Sequence, residues 1–381
     1  MRTITFLQPD RLTFGSGCIV DCLSYLAALP TRNIHIVTSP SFHAKAEALA
    51  TQLEGCTVTI DSTIGSEPTV AMFHAAVARA RAAKTECVLG IGGGSALDTA
   101  KLVAAFVNNE QTVEETFGIG LLGSRRCHLV CVPTTSGTGS EVSPNAILLD
   151  EAAQLKKGVI SPYLVPDATF IDPALTVSMP AAVTASTGLD ALTHCIEAYT
   201  NNFAHPLVDL YALEGIRLTS RYIVRAVNQP DDLEAREGMS RASLYGGLCL
   251  GPVNTAAVHA LAYPLGGEFH LAHGLSNAIL LPPVFAFNSL ATPTRHAEVA
   301  LALGVEAGQT DRETAAAGVE KLRQLARECG VVADLAKHGL DRSAIPRMAM
   351  AAMTVTRLLR NNPRELTQAD AEELYGQCFE S

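Results

Sequence analysis

The chain reads as an α/β domain over residues 1–177 followed by an all-helical domain over residues 178–381, and three observations predict that order. Up to about residue 175, short β runs alternate with amphipathic helical stretches, the pattern of a largely parallel sheet with helices outside it. After Asp172-Pro173 the β signal disappears and only long helical segments follow. No low-complexity tract, internal repeat or flexible linker separates the two halves.

Taken in order, residues 33–38 and 57–61 are rich in β-branched side chains and read as strands. Residues 71–83 form a helix with Ala, Val and Phe inward and Arg79, Arg81 and Lys84 outward. The apolar run 86–91 is a strand that ends in Gly92-Gly93-Gly94-Ser95, and residues 96–106 are helix formers at the helical period. Residues 128–133 are another buried strand, closed by Pro133. Helices are then expected near 184–200, 206–226, 232–248, 254–263, 275–290, 293–303, 311–328, 343–358 and 367–378, the last capped by Thr367.

A strand, a glycine turn and a helix in succession aim backbone N–H groups and the positive end of the helix dipole at a phosphate. Glycines suit that turn because a Cβ would block close approach of a diphosphate. Ser95 either caps the helix or donates its hydroxyl to the phosphate. The loop is not a Walker A sequence, and Gly90-x-Gly92-x-x-Ser95 matches the dinucleotide fingerprint imperfectly. A second loop, Thr134-Thr135-Ser136-Gly137-Thr138-Gly139-Ser140-Glu141, concentrates small donors directly after a strand. Read blandly, such a run is only a turn.

Asp190 and His194 stand four residues apart in the predicted helix and so share one face, one turn apart. His259 and His273 bracket a second segment that also holds Tyr263 and His270. Three imidazoles and one carboxylate could enclose a divalent cation and leave it net positive, still a Lewis acid. Read alone, an Asp-x-x-x-His pair is as well explained by a surface hydrogen bond, and spacing does not say that the two segments meet.

Composition bounds the function. Hydrophobic residues make up 48% and charged residues 17%, which suits packed cores rather than disorder. A net charge of −10 without a Lys/Arg block disfavours nucleic acid and anionic membrane as partners. No apolar run reaches the length of a bilayer span, and the N-terminus lacks the apolar core of a signal peptide. Ten cysteines are scattered without a C-x-x-C pair; Cys87 and Cys195 lie in apolar runs, as small core residues do. A reduced, cytoplasmic protein is therefore expected.

Four motifs occur together and in order: Gly92-Gly93-Gly94-Ser95-x-x-Asp98-x-x-Lys101, the segment from Pro133 to Glu141, Asp190-x-x-x-His194, and His259 with His273. From about Phe14 to the Asn361-Asn362-Pro363-Arg364 segment, the chain resembles the iron-containing (group III) alcohol dehydrogenase family, which shares its fold with dehydroquinate synthase. The resemblance implies an N-terminal dinucleotide-binding domain, a helical metal-binding domain, and a metal and nicotinamide that meet in the cleft between them. It places Gly92, Gly93, Gly94, Ser95 and Asp98 on the diphosphate loop and its helix, and Thr134, Thr135, Thr138 and Ser140 on the segment that holds the rest of the cofactor. It makes Asp190, His194, His259 and His273 the metal ligands, and it puts the substrate near Asn145, Leu250 and Thr255. It also suggests a homodimer in which residues 6–15 pair as a strand across the interface.

Two positions depart from the family pattern. Many members have a histidine one turn after the third ligand; here it is Tyr263, which could orient substrate, pass a proton or simply pack beside Pro264, with His270 as a second candidate for the proton relay. NAD-preferring members often close the second strand with an aspartate; here Ser39 removes its repulsion of a 2′-phosphate, so NADP is expected to be accepted beside NAD. Nitrogen and oxygen ligands suit Fe²⁺, Zn²⁺, Co²⁺, Ni²⁺ or Mn²⁺, and only the resemblance favours Fe²⁺. The expected reaction is reversible interconversion of a small alcohol and its aldehyde or ketone. A dehydroquinate synthase-like lyase and a hydroxyacid–oxoacid transhydrogenase are the alternatives on the same fold.

Overall fold

The computed structural model describes residues 2–65, 67–153 and 155–379. Backbone contacts divide the chain into two compact units, one of Phe6–Thr135 with Gly139–Thr176 and the other of Val177–Ser381 with Met1–Thr5 and Ser136–Thr138.

The first unit is built on strands β1 (Arg11–Phe14), β2 (Asn33–Val37), β3 (Thr57–Asp61), β4 (Cys87–Gly92), β5 (Gly118–Ile119), β6 (His128–Pro133), β7 (Asn145–Asp150), β8 (Leu155–Ile160) and β9 (Ala168–Ile171). Six of them form one sheet in the order β1-β9-β6-β4-β2-β3, parallel at every pairing. The helices α1 (Ile19–Ala28), α2 (His43–Ala50), α3 (Val70–Ala82) and α4 (Gly94–Phe106) complete it. Side chains along a strand point alternately to opposite faces. Val88, Leu129 and Cys131 accordingly join the core cluster that holds Phe73 of α3 and Leu97 of α4. Leu89, Ile91, Val130 and Val132 join the one that holds Cys22 and Leu26 of α1. A sheet covered on both faces needs such continuous apolar strands.

The expected α/β class and the parallel sheet are both present. Strand β1 pairs with β9 of its own chain, Arg11 opposite Ala168, at the edge of the sheet. The β5-β8-β7 sheet, with β7 and β8 antiparallel, has no counterpart in the sequence reading.

The second unit is helical: α5 (Ala181–Tyr199), α6 (Pro206–Asn228), α7 (Leu233–Leu250), α8 (Ala257–Phe269), α9 (His273–Ser289), α10 (Pro293–Ala302), α11 (Asp311–Glu328), α12 (Ile345–Met353), α13 (Thr356–Leu359) and α14 (Gln368–Gln377). From Thr184 onward, nearly every residue of α5 is buried, because α6, α7 and α9 pack around it. Two expectations are corrected here. Helix α8 does not stop before Pro264 but continues to Phe269; the Tyr375 hydroxyl donates to Leu261 O at 2.6 Å, next to the Ala260 carbonyl whose i+4 N–H Pro264 lacks. The single helix expected over 343–358 breaks at Thr354-Val355, where a run of three β-branched residues disfavours continuation. No helix among the described residues is long and apolar enough to cross a membrane.

Candidate metal and dinucleotide sites

Asp190, His194 and Glu197 occupy successive turns of one face of α5, at i, i+4 and i+7. His259 lies in the first turn of α8 and His273 opens α9. The chain turns between these two helices within three residues, with His270 in a left-handed conformation (φ 55°) that ends α8. The first turn of α9 can approach α5 only because residue 274 is glycine. A Cβ there would lie 2.2 Å from Ser186 O. Gly246 likewise lets α7 close over His194, where a Cβ would meet the His194 Cβ at 3.2 Å.

These approaches bring Asp190, His259 and His273 together, with His194 beside Asp190 and His259. One atom each of Asp190, His259 and His273 falls within 4.8 Å of the others. Asp190 Oδ1 lies 3.8 Å from His194 Nε2, 3.6 Å from His259 Nε2 and 3.8 Å from His273 Nε2. A tetrahedral ion with bonds of about 2.1 Å needs donors about 3.4 Å apart, so the spacing fits with slight contraction. The rings of His194 and His259 stack at 4.8 Å, and those of His259 and His273 meet at 5.2 Å.

Two residues absent from the sequence reading complete the cluster. Glu197 Oε2 stands 2.5 Å from His259 Nδ1, and its Oε1 accepts the Val258 N–H at 2.6 Å. The carboxylate thus fixes the ring and leaves Nε2 facing the other donors. Asn277, one turn after His273, directs its amide nitrogen at Asp190 Oδ1 (2.7 Å), His259 Nε2 (3.1 Å) and His273 Nε2 (3.3 Å). An electropositive N–H₂ group stands where the donors converge, so the donor set is one that accepts a cation. Both residues continue the helical spacing of a predicted donor, and that spacing was the available signal.

The electrostatics point the same way. Burial alone would raise the Asp190 carboxyl, but His194, His273 and His259 outweigh it and hold it below the usual carboxylate range. Burial lowers the His194 imidazolium, against the opposing pull of Asp190, which keeps the ring neutral and able to coordinate. Burial would also lower His259, yet Glu197 and Asp190 prevail and raise its affinity for a positive charge.

Tyr263, buried at 5% exposure, follows His259 by one turn. Its ring lies 6.5 Å from that of His273, and its hydroxyl accepts from Arg357 Nη2 at 2.7 Å. His270 is exposed and makes no hydrogen bond or ring contact with the four donors among the described residues. Leu250 is buried at the end of α7, and Thr255 O accepts from Asn361 Nδ2 at 2.7 Å.

In the α/β unit, β3 flanks β2 on one side and β4 on the other. The loops after β2 and β4 therefore leave in opposite directions, opening the switch-point crevice in which dinucleotides bind. Ser39 follows β2, with its hydroxyl 2.9 Å from that of Ser41. Gly92, Gly93, Gly94 and Ser95 run from β4 into α4. A Cβ on Gly92 would lie 2.7 Å from the Ala96 Cβ, so glycine is required for the tight strand-to-helix turn. Thr134 N–H donates to Gly92 O at 2.9 Å, and a Cβ on Gly93 would meet Thr135 Cγ2 at 3.2 Å. The glycine turn and the threonine loop are thus neighbours.

Asp98 and Ser140, both expected at the cofactor, are bonded to each other and to the neighbouring chain. The Ser140 hydroxyl donates to Asp98 Oδ1 at 2.5 Å, and Asp98 Oδ2 accepts the Ile147 N–H at 2.9 Å. Lys101, fully buried, donates to the carbonyls of Ser140 (2.9 Å), Ser143 (2.8 Å) and Asn145. These bonds anchor the loop from within. Asn145 opens β7, and its Oδ1 is buried without a hydrogen-bond partner among the described residues. Thr138 falls in the short stretch that clusters with the helical unit.

Residues 9–173 match the model described as iron-containing alcohol dehydrogenase, and residues 184–379 match that of the Fe-containing alcohol dehydrogenase family, C-terminal. A long-chain-alcohol dehydrogenase of Geobacillus thermodenitrificans is 36% identical, over 100% of this chain and 98% of that protein. A solved 1,3-propanediol oxidoreductase superposes with a TM-score of 0.95 at 30% identity, covering 99% of this chain and 100% of that one. A sulfoacetaldehyde reductase of Bifidobacterium kashiwanohense, solved in complex with NAD+, gives 0.90 at 26% identity, with both chains covered completely.

Proposed function

The chain belongs to the iron-containing alcohol dehydrogenase family, and from that premise we propose that Asp190, His194, His259 and His273 hold its divalent iron while the loops after β2, β4 and β6 hold its nicotinamide coenzyme. It is an oxidoreductase acting on CH–OH groups, linking an alcohol and its carbonyl compound to NAD. The observation that carries the ligand assignment is the gathering of Asp190, His259 and His273 from three helices, with His194 Nε2 3.8 Å from Asp190 Oδ1 and Glu197 fixing His259 behind them.

In such a site the ion supplies polarisation of the substrate oxygen and the nicotinamide supplies or takes the hydride. The protein's own part is orientation and proton handling. Glu197 keeps the His259 proton on Nδ1 and so leaves Nε2 as a donor. Tyr263 accepts a hydrogen bond from Arg357, which leaves its own O–H proton directed elsewhere, available to a substrate oxygen. His270, exposed three residues before His273, offers a route for that proton to solvent.

We assign residues 1–177 to NAD(P) binding and 178–381 to metal binding. We also assign Asn145, Leu250 and Thr255 to substrate contact; the Asn145 Oδ1, buried without a hydrogen-bond partner among the described residues, supports a polar role for that side chain. An uncharged Ser39 supports use of NADP as well as NAD. A cytoplasmic homodimer is the expected state, and all ten cysteines being free agrees with a reducing compartment.

The test is metal analysis together with a coupled NADH and NADPH aldehyde panel on iron-loaded protein. His259→Ala and His273→Ala should each lose bound metal and nearly all turnover. Full metal content and full activity in either variant would remove the ligand assignment.

A further inference from the structure

Arg357 lies on α13, which packs against α8. It is half-buried, and among the described residues its hydrogen-bond acceptor is the neutral hydroxyl of Tyr263. Its guanidinium carbon stands 5.9 Å from the centre of the Tyr263 ring, the same ring that lies 6.5 Å from His273. One phenol therefore holds this cation and stands next to the edge of the donor cluster.

The cation lacks a counter-charge. Among other partly buried arginines, Arg125 pairs with Asp167 at 2.6 Å and Arg295 with Asp209 at 2.7 Å, whereas Arg364 donates to the carbonyl of Phe287 at 3.1 Å. No carboxylate oxygen lies within 4.0 Å of the Arg357 guanidinium among the described residues. The single acidic residue of α8, Glu268, is committed to Arg347 at 2.6 Å, and α13 carries no acid. A guanidinium has five N–H donors in a fixed fork, and one of them is spent on Tyr263. Holding a charge partly out of water without a partner costs free energy that an oxyanion bound in the fork would recover. An ammonium group in the same place would be repelled.

We propose that Arg357, positioned by Tyr263, forms an oxyanion subsite beside the metal donors, and that the physiological substrate is a small aldehyde or hydroxy compound carrying a carboxylate, sulfonate or phosphonate. This rests on the dehydrogenase reading and adds the substrate class to it. The carbonyl end faces the donor cluster and the anionic end meets the guanidinium. Arg357 is thereby a specificity-determining residue, and a quaternary ammonium aldehyde is a poor substrate.

The experiment compares kcat/KM on iron-loaded protein for succinic semialdehyde, the neutral pentanal and the cationic betaine aldehyde. Sulfoacetaldehyde and phosphonoacetaldehyde are added to separate the three kinds of anion. One of the anionic aldehydes should exceed pentanal by at least about tenfold, a charge-assisted hydrogen bond being worth one to two powers of ten. Arg357→Met should lower the anionic-to-neutral ratio by about 10- to 100-fold, mostly through KM, and Arg357→Lys should restore part of it. Independently of any variant, succinate should inhibit reduction of pentanal competitively with the aldehyde. Equal use of neutral and anionic aldehydes, or a ratio unmoved in Arg357→Met, overturns the subsite while leaving the dehydrogenase reading intact. No turnover of any aldehyde by metal-replete protein overturns that reading and the subsite with it.

Discussion

Glu197 holds His259 from behind at 2.5 Å, one carboxylate oxygen on the imidazole Nδ1 and the other on the backbone N–H of the residue before it. Both ring and helix start are thus positioned by a side chain that belongs to the helix of Asp190 and His194. Glu197→Gln preserves the shape but removes the charge that raises His259 basicity. The expected result is a 10- to 100-fold weaker affinity for Fe²⁺ or Zn²⁺ with helix content unchanged. Competition with a chromogenic chelator measures it; wild-type affinity would mean that the carboxylate has only a packing role.

Gly274 decides whether His273 can reach Asp190. A methyl group at residue 274 would sit 2.2 Å from Ser186 O and 2.8 Å from its carbonyl carbon, both backbone atoms that cannot rotate away. Gly274→Ala must therefore push α9 off α5 and widen the separation of His273 from the other donors. Metal content should fall well below stoichiometric, and the unfolding midpoint should drop by an amount matching about 1–3 kcal/mol of overpacking. A variant that binds metal normally would show that the helix contact is more compliant than its geometry.

Half of the metal cluster was legible because helical periodicity is local. Asp190 and His194 share a face by spacing alone, and the glycine turn after residues 86–91 carries its own strand-and-helix context. The meeting of α5 with His259 and His273 depends on tertiary packing, through Gly274, Gly246 and the left-handed turn at His270, and no window of sequence contains it. Glu197 and Asn277 had the right period, but a glutamate or asparagine on a helix is ordinarily a solvated residue, so spacing gave them no weight. Arg357 lies 94 residues from Tyr263 and carried no local signal at all. Asp98 and Ser140 were recognised as members of the loops, yet their bonds to each other and to Ile147 could be seen only in the folded chain.

Ser39 follows β2, beside the switch-point crevice, and among the described residues its hydroxyl bonds to that of Ser41. A carboxylate in its place would oppose the 2′-phosphate of NADPH while accepting hydrogen bonds from the ribose hydroxyls of NADH. Ser39→Asp should shift the ratio of kcat/KM for NADPH to that for NADH downward by about 10- to 100-fold, since a juxtaposed like charge costs kilocalories rather than tenths. The two coenzymes, titrated against one fixed aldehyde, provide the measurement. An unchanged ratio would place the adenosine ribose away from this strand end.

His296 provides a pH dependence remote from the metal donors. It is 1% exposed, with its ring edge-on to Phe285 at 4.6 Å and its Nδ1 bonded to Thr292 O at 2.9 Å. Burial holds its imidazolium down at about 4, against an ordinary value of 6.5, and the Thr292 carbonyl recovers only part of that shift. The folded protein therefore keeps the ring neutral where the unfolded chain already takes up a proton. Stability from this group is complete above pH 6.5, falls as the pH drops from 6.5 to about 4, and is constant below that, for a total of about 3 kcal/mol. His296→Asn keeps an N–H donor near Thr292 but does not titrate. Over that window, the unfolding midpoint of the metal-free wild type should fall faster with acid than that of the variant, and the two curves should run parallel above pH 6.5. Parallel curves at every pH would mean that His296 takes up its proton without disturbing the fold.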